Sequence, residues 1–170
     1  MELTPESNGN HLIFCGGTGI YPFLDLLDFL LKKSIYSALC KNFSKEIAEQ
    51  TNLNHESYDK IFGPKFKIYL YASFQTEIEF MNICDFVWKL YKINEKFNLG
   101  LFDMVLRFSK KIKIEGVKII ESYFDESFFD QYITQQQISK VLVCGNPQMN
   151  KTISEICLKK LISQDAIYLV

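Results

Sequence analysis

The sequence predicts an α/β protein, a doubly wound five-stranded parallel sheet in the order 3-2-1-4-5 with helices on both faces. Three observations lead to it. Apolar strand candidates alternate with stretches of helical apolar spacing along most of the 170 residues. Two strands, Lys67-Ile68-Tyr69-Leu70-Tyr71 and Val141-Leu142-Val143, are nearly continuous apolar runs, the pattern of strands covered by helices on both sides. Two strands also run directly into a glycine turn followed by a helix, at Cys15-Gly16-Gly17-Thr18-Gly19 and at Cys144-Gly145-Asn146-Pro147. In a doubly wound sheet such turns lie at the carboxyl ends of the strands where the order reverses, so both are expected at one crevice.

The first strand candidate is His11–Cys15, and the helix after its turn carries Phe23, Leu24, Leu27, Leu30 and Leu31 at helical spacing. Residues 34–64 read as a surface insertion, a polar connection much longer than a crossover loop needs. Ser44–Gln50 can form a short helix within it, and a lid or docking element is the alternative reading. The second strand is Phe66–Ala72, followed by a helix from about Glu77 to Lys92 marked by Phe80, Cys84, Val87, Trp88 and Tyr91. Asp103–Phe108 is the third strand. Residues 110–138 then read as irregular, with a basic run Lys110-Lys111-Ile112-Lys113 and an aromatic acidic tract around Tyr123-Phe124-Asp125. Lys140–Cys144 is the fourth strand, and the last helix starts at Asn146-Pro147, where Asn suits the cap and Pro the first turn. It presents Met149, Ile153, Ile156, Cys157 and Leu161 to the core, and Ala166–Val170 closes the sheet. The whole reads as one domain, residues 1–170.

Composition narrows the chemistry. With 48% hydrophobic residues the chain can bury a proper core, and a net charge of −1 leaves no electrostatic footprint for nucleic acid or an anionic membrane surface. No apolar run reaches membrane-spanning length. The five cysteines and two histidines, His11 and His55, lack metal-clip spacing, and the polar residues 1–10 do not resemble a leader.

Glycines let a backbone pass close to a bulky anion, and the unpaired amides that open a helix point toward it. The two turns therefore read as a phosphate site approached from two strands. Gly16-Gly17-Thr18-Gly19 does not have the spacing of the usual dinucleotide fingerprint, Tyr36-Ser37-Ala38 stand where its ribose-binding acid would fall, and no Gly-Lys-Ser/Thr follows.

Three blocks resemble the pyridine-nucleotide lobe of the ferredoxin-NADP reductase superfamily. Gly16-Gly17-Thr18-Gly19-Ile20-Tyr21-Pro22-Phe23 resembles its Gly-Gly-Thr-Gly-Ile/Thr-x-Pro-Phe element. Tyr71-Ala72-Ser73-Phe74-Gln75-Thr76-Glu77-Ile78-Glu79 is similar to Tyr-Ala/Gly-Ser/Asn-Arg/Gln-Thr-Glu-x-Asp, with one extra residue at Phe74 and Glu79 for Asp. Cys144-Gly145-Asn146-Pro147-Gln148-Met149 is similar to Cys-Gly-Pro-Pro-x-Met, with Asn146 for the first Pro.

The resemblance implies a cofactor site of Gly16, Gly17, Thr18, Gly19, Ile20, Pro22, Ser73, Gln75, Cys144, Gly145, Asn146, Pro147 and Met149. It places Cys144 beside the nicotinamide as the catalytic residue; read alone, Thr18 is a helix cap and Cys144 a buried cysteine. Cofactor choice is expected at Ser109 and Lys110, a hydroxyl and a cation with no carboxylate, which favours NADPH slightly over NADH; a solvated strand end is the alternative. The family's flavin lobe has no counterpart in this sequence, so FAD and the flavin-binding domain are expected in a partner domain or subunit. The implied function is presentation of nicotinamide for hydride transfer to that flavin, in the cytoplasm or at the cytosolic face of a membrane. The alternative is a catalytically inactive lobe kept as a structural or regulatory module.

Overall fold

The computed structural model describes residues 9–50, 65–110, 112, 114, 116–133 and 137–170. Six strands, β1 Gly9–Gly16, β2 Phe66–Phe74, β3 Phe102–Phe108, β4 Lys118–Ile120, β5 Ile138–Cys144 and β6 Ile167–Leu169, form one sheet in the order β4-β3-β2-β1-β5-β6. Every pairing is parallel. The five expected strands stand in the expected relative order. The expectation of five is corrected by β4, a three-residue edge strand added beside β3 from the segment read as irregular.

Helices α1 Leu24–Asn42 and α3 Glu77–Phe97 cover one face, with Leu27, Leu30, Phe80, Val87 and Leu90 packed on Ile13, Leu70, Ala72 and Leu106. Helices α4 Glu126–Tyr132 and α5 Pro147–Lys159 cover the other, with Phe128, Phe129, Ile153 and Ile156 on Leu12, Phe14, Val141 and Val143. Alternation along β1 sends Leu12 and Phe14 to one core and Ile13 and Cys15 to the other. This is why the strand reads as an unbroken apolar run.

Several boundaries differ from expectation, and Leu161, expected on the core face of the last helix, lies past the end of α5 and is 93% exposed. Residues 34–42 belong to α1, and Ser34 is wholly buried, accepting a hydrogen bond from Asn94 Nδ2 at 2.9 Å. The expected short helix is present as α2, Lys45–Glu49, capped by Ser44. Residues 51–64 of the presumed insertion lie outside the described residues, as do His55 and Lys111 and Lys113 of the basic run. Helix α3 runs past Lys92 to Phe97 and ends on Asn98 in the left-handed conformation, a common helix stop. No described helix is long and apolar enough to cross a membrane.

Candidate functional site

β1 lies between β2 and β5, so the chain passes from β1 toward β3 on one side and returns to β5 on the other. The register pairs Cys15 with Cys144, and both glycine turns leave the sheet side by side with no strand between them. Gly16 ends β1, and Gly17, Thr18, Gly19, Ile20 and Pro22 form a 3-10 helix, Gly17–Phe23, leading into α1. Within it Thr18 and Pro22 are exposed and Ile20 is buried. Thr18 is not a side-chain cap here, because the 3-10 turn begins before it.

Gly17 alone of the first turn's glycines has a positive φ, +53°, and a Cβ there would sit 3.2 Å from Glu79 Oε1. Glu79 is held by the α3 cap. Its Oε2 accepts from the Gln75 N–H at 2.8 Å, and its own N–H donates to Thr76 Oγ1 at 3.2 Å. Phe74, the additional residue of the second block, extends β2 and is buried against Phe80 and Phe108, which leaves Gln75 exposed beyond the sheet.

At the second turn Asn146 caps α5, its Oδ1 accepting from the Met149 N–H at 2.8 Å, and Pro147 opens the first turn. Asn in place of Pro thus supplies a cap. The Met149 sulfur spans both turns, 3.4 Å from where a Cβ on Gly16 would be and 2.6 Å from one on Gly145. Cys144 is half-buried and packs on the α1 and α3 side.

On the opposite face of the sheet edge, a cavity of about 420 Å³ is lined by Ser73, Arg107, Tyr123, Phe124, Asp125, Asn146, Gln148, Met149, Thr152 and Ile153. Arg107 is the chain's single arginine, and it is only 9% exposed. The register sets it beside Ser73, and its guanidinium donates to Ser73 Oγ at 3.0 Å and lies 3.9 Å from the Tyr123 ring centre. Among the described residues its Nε has no partner and no carboxylate pairs with it. Asp125 stays at the cap of α4, accepting from the Phe128 N–H at 3.0 Å and from Ser127 Oγ, which holds its carboxyl below the usual range. A buried, unpaired guanidinium at the base of a largely apolar slot favours an anionic group on a flat ring.

Ser109 and Lys110 do not line this cavity. Both are exposed past the end of β3 and border a second hollow of about 690 Å³ on the β4 side, which Arg107 lines as well. Arg107 is the residue the sequence reading passed over. Its signal was present, a single arginine inside the apolar run Val105-Leu106-Arg107-Phe108.

No protein-family model matches the sequence, and no curated protein matches it significantly. Solved structures do share its fold. The cytochrome b5 reductase domain of Ulva prolifera nitrate reductase superposes with a TM-score of 0.60 at 13% identity, over 96% of this chain and 50% of that one. The CS-b5R domains of human Ncb5or in the NAD+ form give 0.60 at 13%, over 97% and 37%. Flavohemoglobin from Malassezia yamatoensis with bound FAD and heme gives 0.57 at 13%, over 99% and 32%. This chain therefore spans half or less of the length of each. Its fold is thus shared with part of each of these reductase and flavohemoglobin chains, in keeping with the fold that the three sequence blocks implied.

Proposed function

We propose that this chain binds NAD(P)H across the carboxyl edge of its sheet and presents the nicotinamide to a flavin held by another domain or subunit. One observation carries the reading: the two glycine turns abut on neighbouring strands, with Cys144 at their junction. Gly17 gives the backbone freedom a pyrophosphate needs, and Thr18 offers an exposed hydroxyl beside it. The slot at Arg107 and Tyr123 has the chemistry for the adenylate end, with the Arg107 guanidinium available to a 2′-phosphate. Arg107 thus replaces Lys110 as the basis for an NADPH preference. When bound, the reduced nucleotide supplies the hydride and the flavin accepts it. The protein's part is to bind, orient and exclude water, with the Cys144 thiol beside the reacting ring.

A non-catalytic interaction module is the second reading. It draws on Met149, whose thioether fills the space over Gly16 and Gly145 where a ligand would approach.

Calorimetric titration of the chain with NADPH, NADH and AMP tests the proposal. Gly17→Val, which places a β-branched residue in the left-handed region against Glu79, should abolish dinucleotide binding while the fold persists by circular dichroism. Unchanged affinity in folded Gly17→Val, or no binding by the wild type, would overturn the nucleotide reading in favour of the module.

A further inference from the structure

We propose that Gly19 is a positioning residue for Cys144: its missing side chain lets the first turn lie directly on the Cys144 peptide, and that contact sets where the thiol stands. The glycines of the first turn have different reasons to be glycine. Gly16 is in extended backbone, and a Cβ there would meet only the Met149 sulfur at 3.4 Å, an ordinary contact with a flexible group. Gly17 is required by its φ of +53°. Gly19 is not among the residues with positive φ, so its conformation is open to any residue.

What a side chain at Gly19 would meet is another strand's backbone. Its Cβ would overlap the Cys144 carbonyl oxygen, lying 2.8 Å from the carbonyl carbon and 3.4 Å from the Gly145 nitrogen. Backbone at the end of a central strand cannot swing aside as a methionine can. Accommodating a methyl group must therefore force the first turn and the Cys144–Gly145 peptide apart, and we infer that the peptide turns or is pushed back. Because the Cα–Cβ bond of Cys144 turns with its peptide, the thiol moves too. Gly19 thus joins the two turns into one rigid unit, whereas the resemblance made it a ligand contact.

The consequence for hydride transfer rests on the nucleotide reading proposed above; the contact and its effect on the thiol do not. The test is the rate at which iodoacetamide alkylates Cys144, followed by peptide mass spectrometry in wild type, Gly19→Ala and Gly16→Ala. Buried Cys15, Cys84 and Cys157 report on the fold in the same digest. Gly19→Ala should change the Cys144 rate roughly threefold or more with the buried thiols still protected, and Gly16→Ala should leave it within about twofold. Equal rates in folded Gly19→Ala and wild type would overturn the proposal.

Should Gly19→Ala lose protection at Cys15, the wild-type chain provides the second measurement. Methyl methanethiosulfonate on Cys144 must then alter amide hydrogen exchange in the segment 17–20, and unaltered exchange overturns the proposal. Failure of NADPH to slow alkylation of wild-type Cys144 would count against the nucleotide reading and leave the contact with Gly19 standing.

Discussion

Cys15 and Cys144 are register partners at the ends of neighbouring strands, yet Cys15 is sealed in the core and Cys144 is half open. Burial pushes the Cys15 thiol well above its ordinary value and those of Cys84 and Cys157 up to about 12. At pH 8 an alkylating reagent should therefore label Cys144 and the half-buried Cys40 and spare the other three. Labelling of Cys15 as fast as Cys144 would contradict this packing. These thiols hold their protons longer folded than unfolded, so their contribution to stability is complete below about pH 9 and declines as pH rises toward 12. Denaturant midpoints between pH 8 and 10.5 should fall accordingly.

Arg107→Ala should weaken NADPH by about 2 kcal/mol, roughly thirtyfold, and change NADH little, because a buried charge-assisted bond is lost to the phosphate alone. Lys110→Ala should alter the NADPH to NADH ratio by less than about threefold, as expected for an exposed cation. Titrations of both nucleotides at low and high salt decide between the two residues. Equal loss of both nucleotides in Arg107→Ala would mean that the guanidinium supports the slot and does not select.

His11 lies at the opposite, amino edge of the sheet, 2% exposed. Its Nδ1 is 3.0 Å from the Gly9 carbonyl, its ring is 4.6 Å from that of Phe66, and its Nε2 has no partner among the described residues. Burial, with Lys140 nearby, lowers its pKa, so the folded chain takes up this proton at a lower pH than the unfolded chain does. The unfolded chain then binds more protons below about pH 6.5, and stability should drop as pH falls from there, by at most about 1.4 kcal/mol per pH unit from this group. His11→Phe should flatten that dependence in urea melts recorded between pH 7 and 5. An unchanged slope would place the acid sensitivity elsewhere.

Phe74→Ala should cost about 3–5 kcal/mol in chemical denaturation, because it empties the space between Phe80 and Phe108 at the end of β2. Phe74→Leu should cost roughly a third of that. A loss under about 1 kcal/mol for the alanine variant would mean that the core collapses around the gap.

The central strands were legible because both their faces are buried, leaving apolar runs bounded by glycine. β4 was not, since three residues with Lys118 exposed at an edge give no period to read. The length of α1 was hidden for a different reason. Ser34 reads as a loop residue until Asn94, sixty positions away, is seen to donate to it inside the core. The site divides in the same way. Its glycine turns follow from local backbone demands, whereas the Arg107 slot exists only because β2 and β3 pair in the register that brings Ser73 opposite it. Its wall, Tyr123, arrives from the segment following β4.

The strand at the middle of the sheet is also the earliest one made. β1 ends at Gly16, but its second neighbour, β5, does not begin until Ile138. At roughly 5–20 residues per second, a ribosome needs on the order of ten seconds to bridge that interval. During it the β1 edge that β5 will occupy has open hydrogen-bonding groups, and Leu12 and Phe14 lack the Val141, Val143 and α5 side chains that later enclose them. A chain that builds its sheet outward from the first strand in both directions can add each new strand to one already made, but it leaves the second edge of β1 open to proteases and chaperones until β5 emerges.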